Sequence, residues 1–290
     1  MRMAAPGISF IIKTRYINKV LKVIIMEITR YAVQEKRLVP WVKFFWKLNT
    51  IEHSISQKLL PTESIDILIN LGDPIVYTAG SNSIIAPQIH INGFRSQYSF
   101  IHQSGNIHIW GISFYSYGLY PFIQSPITKI KDKIADLREL SEDLTVMLES
   151  VLYEKRAAAK LESILLSMLN IDDEIILRTE LLSRFLTSEE QLTVKSFCAA
   201  NDINVKTFER LCVRYTGYTP AILRRIHRFQ AVSNQIVHEK PDSLADAAYN
   251  NRFADQAHLN REFKVFAGEA PGRFTQQKAS VKENVQYKYE

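Results

Sequence analysis

Sulfur is scarce in this chain. Two cysteines in 290 residues, Cys198 and Cys212, rule out a disulfide framework as the source of stability. Both stand at apolar positions of expected helices, where they read as core thiols rather than a redox pair. A reducing, cytoplasmic setting is the natural expectation. Glycine and proline are also few, ten of each, which excludes collagen-like and low-complexity chains. No Gly-rich phosphate loop and no nucleophile elbow occurs, so two common enzyme classes lose their signature. Long hydrophobic runs are missing as well. The N-terminal stretch "MRMAAPGISFIIKTRYINKVLKVIIMEITRY" is interrupted by Lys13, Arg15, Lys19 and Lys22, short of the roughly 20 apolar residues a spanning helix needs. No small-residue cleavage site follows an apolar core. Residues 1–25 therefore read as an extra N-terminal arm, with Met26 an alternative start, and no membrane partner is expected. An interfacial amphipathic helix is the minority reading of the same stretch.

What is present is ordinary globular material, 46% hydrophobic and 23% charged, in a chain long enough for two domains. The formal charge of +6 admits a polyanionic partner, but distribution matters more than the total. From about Ile51 to Ile123 the pattern favours strands. In "IDILINLG" Ile65, Ile67 and Ile69 alternate with Asp66, Leu68 and Asn70. In "IHIWGISF" Ile107 and Ile109 oppose His108, Trp110, Ile112 and Phe114. Strands apolar on both faces sit between layers or in a barrel. Turn signals at residues 72–74, 80–82, 92–93 and 104–106 predict several short antiparallel strands. After Pro126 the period moves towards 3.6, and Leu144–Leu169 predicts one long amphipathic helix. The expected organisation is a β-rich domain with trailing helices over 26–170, a linker over 171–187, a helical domain over 188–278 and a tail over 279–290. The fold class is α+β with two domains: an N-terminal antiparallel β barrel or sandwich, and a C-terminal all-α domain.

The helical domain contains a repeat. "NVKTFERLCVRYTGYTP" from Asn204 aligns without a gap on "DQAHLNREFKVFAGEAP" from Asp255, at a constant offset of 51 residues (255 − 204). A repeat of this kind implies two copies of one supersecondary unit. Each copy opens on an N-cap residue type, Asn204 or Asp255, and closes on a glycine suited to the left-handed region, Gly217 or Gly268. Helical spacing puts Phe208, Leu211, Cys212 and Tyr215 inward, with Lys206, Thr207 and Arg210 outward. The second copy turns Leu259, Phe263 and Phe266 inward and Gln256, Ala257, Asn260, Arg261 and Lys264 outward. A polar outer row is by itself only a solvated face. However, "LTVKSFCAAND" and "SLADAAYNNRF" each place a short Ala-rich helix and a tight turn before the unit, which makes two helix-turn-helix motifs. Arg, Gln and Asn can each make paired hydrogen bonds to base edges. Between the copies "AILRRIHRFQAVSNQIV" reads as a connecting helix carrying Arg224, Arg225 and Arg228, with Arg225 the chosen phosphate contact.

On these residues the stretch from about Thr193 to Phe274 resembles the paired helix-turn-helix domain of AraC-type transcription regulators, with "FADQAHLNREFKVFAGEAPGRF" as the second-motif signature. The resemblance implies double-stranded DNA as partner, each recognition helix in one major-groove segment, and transcription regulation that involves RNA polymerase. It carries Lys206 and Arg210 in the first helix, and Gln256, Ala257 and Arg261 in the second, into the groove. Two departures stand out. Arg252 takes the place of the usual Gly before Phe253, so Asn251 is expected to absorb the odd turn geometry. Ala257 offers only apolar contact, for instance to a thymine methyl. The segments "VPWVKFFWKL", "LLPTESIDILINLGDP" and "WGISFYSYGLYPF" resemble the β-rich sensor domain that precedes this domain in one branch of the family. That implies a cupin-like barrel sensing a small-molecule effector or mediating homodimer formation.

Two other functions compete. Histidines 90, 102 and 108 on expected strands raise a metal-dependent enzyme or sensor, yet they lack compact ligand spacing and a tied carboxylate. The helix-turn-helix units could instead serve an adaptor that binds protein. No catalytic residue, cofactor or metal is assigned.

Overall fold

The computed structural model describes residues 8–11, 27–153, 157–188, 193–236, 241 and 243–274. Nine strands form one antiparallel sheet in the order β1-β2-β3-β8-β4-β7-β9, with β5 attached to β8 and β6 attached to β5. They run β1 Ile8–Ile11, β2 Glu27–Tyr31, β3 Val42–Leu59, β4 Ser64–Asn70, β5 Val76–Ala79, β6 Asn82–Ile85, β7 Ile89–Asn92, β8 Ser99–Tyr115 and β9 Ile134–Asp136. Part of the expected N-terminal arm is therefore an edge strand, since Ile8–Ile11 pairs with Glu27–Arg30. The rest of that arm, and the expected tail over 279–290, lie outside the described residues.

Several strands are short, as expected, but the two central ones are not. β3 and β8 are 18 and 17 residues long and pair along their whole length. The expected turn at 104–106 lies inside β8. Gly105 adopts φ 94° and bends the strand without ending it, because β3 offers partners on both sides, Gln103 opposite Ile55 and Ile107 opposite Thr50. Across the bulge between Thr50 and His53 the side-chain phase of β3 reverses. Leu48 before it and Ile55 and Leu59 after it then face the same way, towards Leu68, Ile75, Tyr77, Ile107 and Ile109. The bent sheet thus closes on itself as a half-barrel with a small apolar interior.

The other face carries the larger core. Ile65, Ile67, Ile69, Trp110, Ile112 and Phe114 point away from the interior and pack with the helices. Those helices start with α1 Tyr120–Ile123, α2 Glu142–Glu149 and α3 Ala157–Met168. The single long helix expected over Leu144–Leu169 is instead divided. α2 ends at Ser150, whose Oγ donates to the Met147 carbonyl at 2.6 Å, and a 3₁₀ turn over Ser150–Tyr153 follows. The expected linker is mostly helix too, α4 Asp173–Thr187, because Asp172 caps it by accepting from the Ile175 amide at 2.7 Å.

The helical domain continues with α5 Val194–Ala200, α6 Val205–Thr216, α7 Pro220–Asn234, α8 Leu244–Asn250 and α9 Gln256–Ala267. Phe185 of α4 meets Phe197 and Phe208 with ring centroids 5.1 and 5.0 Å away. The stretch read as a linker therefore supplies the centre of the first helix-turn-helix core. Phe229 of α7 plays the same part for the second, against Phe263 and Phe266 at 5.1 Å each. No described helix is long and apolar enough to cross a membrane.

Gly118 sits where the chain leaves β8, and a Cβ added there would run into the backbone carbonyl of Trp41. Gly118→Ala is expected to cost about 1–3 kcal/mol through forced backbone displacement. Thermal unfolding of the full chain should show a midpoint lowered by several degrees, and an unchanged midpoint would contradict the packing described here.

Candidate nucleic-acid interface

The two repeated units are built from the same local chemistry. Asn204 Oδ1 accepts from the Lys206 amide at 2.9 Å, and Asp255 Oδ1 accepts from the His258 amide at 2.6 Å. Each cap starts a helix of 12 residues. Each helix ends on a left-handed glycine, Gly217 at φ 83° and Gly268 at φ 72°, where a side chain would be strained. The leading helices are capped alike: Thr193 Oγ1 accepts from Ser196 and Ser243 Oγ from Asp246, at 3.0 and 3.1 Å.

The turns also match until one residue breaks the symmetry. Asn201 Nδ2 donates to the Phe197 carbonyl and Asn251 Nδ2 to the Ala247 carbonyl, both at 2.8 Å. Next come Asp202 at φ 48° and Arg252 at φ 58°. The expectation that Asn251 would take the odd geometry is thus corrected. Asn251 stays at φ −102°, held by Ala247 and by Gln235 Oε1 at 2.6 Å, and the left-handed conformation falls on Arg252 itself. The second turn then contains an additional residue, Ala254, whose amide donates to His258 Nδ1 at 3.2 Å.

Outward from these frames, Lys206, Thr207 and Arg210 are exposed on α6, and Gln256, Ala257 and Arg261 are exposed on α9. Asn260 is half-buried. The inward residues Phe208, Cys212, Tyr215, Leu259, Phe263 and Phe266 are buried. Each unit therefore presents a fixed polar ridge backed by a packed core.

Residues 197–277 match the family described as a helix-turn-helix domain, and residues 34–136 match a family described as a domain of unknown function. The C-terminal region is an AraC-type helix-turn-helix domain. No curated protein matches the chain. Among solved structures, ToxT from Vibrio cholerae O395 aligns at 12% identity and TM-score 0.43, covering 82% of this chain and 97% of its own. The AraC-like transcriptional activator CuxR aligns at 12% identity and TM-score 0.34, covering 72% of this chain and 82% of its own. These are distant likenesses, and the assignment rests on the matched domain.

Within the AraC-type domain the arginines of α7 are engaged internally. Arg225, expected at a phosphate, makes a paired contact with Glu262 of α9, Nε to Oε2 at 2.8 Å and Nη2 to Oε1 at 2.9 Å. It also lies 5.2 Å from the Phe266 ring centre. Arg224 donates to the Ser188 carbonyl and Oγ and covers Phe185 at 4.3 Å. The physical reason is that α7 lies between the two units, with Phe185 and Ser188 on one side and Phe266 and Glu262 on the other. Periodicity shows such a helix's faces but not what packs on them.

Arg214 went unnoticed in the sequence, although it continues the row of Lys206 and Arg210 at four-residue spacing. It is exposed on α6, and its Nη2 and Nε donate to Tyr120 Oη at 2.6 and 3.0 Å. The three histidines do not converge. His90 is buried in the half-barrel, His102 is exposed, and His108 is half-buried opposite Asn49. Among the described residues no group of three metal-ligating side chains forms.

Burial works against the charged carboxylate of Glu262, but the hydrogen bonds and charge of Arg225 outweigh it, and its pKa is lowered. A carboxyl whose folded pKa is depressed contributes stability above its unfolded value, near 4.3, and loses it as pH falls through the folded value. Glu262→Gln is expected to destabilise the protein by about 1 kcal/mol at pH 7, between the exposed and buried limits for ion pairs. That difference should vanish towards pH 3. Chemical denaturation of parent and variant across this range checks both the size and the sign.

Proposed function

We propose that the chain is a sequence-specific transcription regulator whose helices α6 and α9 enter successive major-groove segments on one face of DNA. The observation that carries this reading is the repetition of one cap-to-glycine frame with an exposed polar ridge in both copies. In it Lys206, Thr207 and Arg210 read one segment, and Gln256, Ala257, Asn260 and Arg261 the other. Arginine pairs with a guanine edge, Asn260 and Gln256 suit adenine, and Ala257 suits a thymine methyl. Arg225 acts indirectly, by setting the angle of α9. RNA polymerase, a small-molecule effector and a second copy of the chain are the partners this reading includes. No catalytic step enters it.

The N-terminal domain is placed to modulate binding. It holds both recognition helices at their glycine ends. Arg214 and Tyr120 join at α6, and Tyr218 Oη donates to the Phe94 carbonyl at 3.0 Å. At α9, Lys58 pairs with Glu269 at 2.7 Å, and Tyr98 lies against Gly268. His227 of α7 meets Glu63 at 2.8 Å. Lys206 and Arg210 moreover line a cleft shared with Pro126 and Thr128 of the N-terminal domain. Movement of that domain therefore changes the surroundings of the ridge offered to DNA.

Binding-site selection with the full chain tests the reading. The bound sites should contain two elements about 10 base pairs apart, with no requirement for palindromy. Arg210→Ala should relax base preference in one element and Arg261→Ala in the other, each at about 1–3 kcal/mol. Log affinity should fall with log salt at roughly −0.9 per phosphate neutralised. A flat salt response with no selected site would leave the protein-binding adaptor as the better account.

A further inference from the structure

The turn of the second helix-turn-helix motif keeps a residue that its own geometry does not favour. Both turns need a left-handed residue directly after the asparagine that ends the leading helix, and Asp202 at φ 48° and Arg252 at φ 58° fill that place. Glycine adopts this region freely and aspartate with local help from its side chain, whereas arginine has neither advantage. Turn formation alone does not account for Arg252. Aligned on the matching asparagines, at an offset of 50 residues (251 − 201), the turns differ in a consistent direction. The first reads Ala199, Ala200, Asn201 and Asp202, and the second Tyr249, Asn250, Asn251 and Arg252. A methyl and a carboxylate have given way to a phenol and a guanidinium.

Tyr249 is 83% exposed, more than any other large hydrophobic side chain among the described residues. Arg252 is exposed as well, and neither side chain makes a hydrogen bond, ring contact or ion pair with a described residue. The backbone beneath them is fixed. The Arg252 amide donates to the Tyr249 carbonyl at 3.0 Å and the Phe253 amide to the Ala248 carbonyl at 2.9 Å. Asn251 is tied to Ala247 and Gln235, and Phe253 is buried, with Arg228 5.8 Å from its ring centre. Two exposed donors thus leave opposite ends of one rigid turn. That turn leads directly into Gln256 and Ala257, the exposed start of α9. In a helix-turn-helix the leading helix crosses the DNA backbone while the start of the second meets base edges. Side chains leaving the turn between them stand at the groove's edge, where the phosphates are. A guanidinium makes paired bonds to phosphate oxygens, and a tyrosine hydroxyl can donate one more.

We propose that Tyr249 and Arg252 together hold one phosphate of the DNA strand bordering the segment read by α9, a contact that the first unit, with Ala199 and Asp202 at the matching places, does not make. It rests on the reading of α9 as a groove helix, and it assigns the second turn the task of fixing that helix on the backbone.

Fluorescence-anisotropy titration of the full chain provides the test, with a duplex carrying a selected site and a scrambled duplex of equal length. Arg252→Gly should weaken binding to both duplexes by about five- to twentyfold, and should make the fall of log affinity with log salt shallower by about 0.9, the value for one phosphate. Its unfolding midpoint without DNA should stay level or rise, because glycine accepts a positive φ without strain. Tyr249→Phe should cost about two- to fivefold with the salt slope unchanged, since the lost donor is neutral. The double variant should lose less than the product of the two, as expected for groups that share one phosphate. Asp202→Gly, the same change in the first turn, should leave binding undiminished. Unchanged affinity or slope in Arg252→Gly, a loss confined to the selected site, or a midpoint lowered by more than about 3 °C would each overturn the proposal. A parent chain with no selected site and no salt dependence refutes the reading of α6 and α9 as groove helices, whereas a parent and an Arg252→Gly chain that bind the site equally refute this contact alone.

Discussion

A sheet that must be apolar on both faces sets the terms for everything else in this protein. Residues of β4 and β8 alternate between a helix-covered face, with Ile65, Ile67, Ile69, Ile112 and Phe114, and a barrel interior, with Leu68, Ile107 and Ile109. Strict alternation over so long a strand would carry one flat face out into water. The bulge in β3 and Gly105 in β8 resolve this by bending the pair, so that the distal halves fold over the proximal halves. One face then packs against helices while the other encloses a small apolar space. Both the domain interface and that interior follow from the bend.

The helix-covered face also explains why the two domains are not strung on a loose tether. α4 begins at an Asp cap and ends among the rings of the first helix-turn-helix unit, so the chain crosses between domains as a rigid element. The glycines that end α6 and α9 serve twice. Their positive φ closes the helices, and both lie beside the N-terminal domain, Gly217 near Ile127 and Gly268 so close to Tyr98 that a Cβ there would run into its ring. A position that looks like local helix punctuation is here also an interdomain contact.

Legibility in the sequence tracked the range of the forces involved. Caps, terminal glycines and inward rows of α6 and α9 depend on neighbours within a turn or two, and the repeat exposed them directly. The inward and outward phases of Ile65–Asn70 were likewise plain. What the sequence concealed was decided by distant partners. Gly105 resembles a turn residue until β3 is laid beside it. Residues 171–187 look polar enough for a linker until Phe185 meets Phe197 and Phe208. Arg225 resembles a phosphate ligand until Glu262, 37 positions on, closes around it. Arg214 was hidden by attention to the ridge alone, although its spacing from Arg210 was visible.

The repeat finally matters more for its imperfection than for its symmetry. Ala254 lengthens the second turn by one residue, and Arg252 holds there a conformation that costs a non-glycine residue about 1 kcal/mol or more. The row Lys206, Arg210 and Arg214 on α6 becomes Ala257, Arg261 and Val265 on α9. Positive charge along this row is therefore concentrated on the first unit, whose last arginine is held by the N-terminal domain through Tyr120. The second recognition helix carries two cations, Arg261 and Lys264, against three on the first, and an exposed apolar residue, Val265, and it is fixed from behind by Arg225 and Glu262. Two copies of one frame have thus come to differ in kind: the first is electrostatic and coupled to the N-terminal domain through that arginine, the second is suited to short-range contact and braced within its own domain.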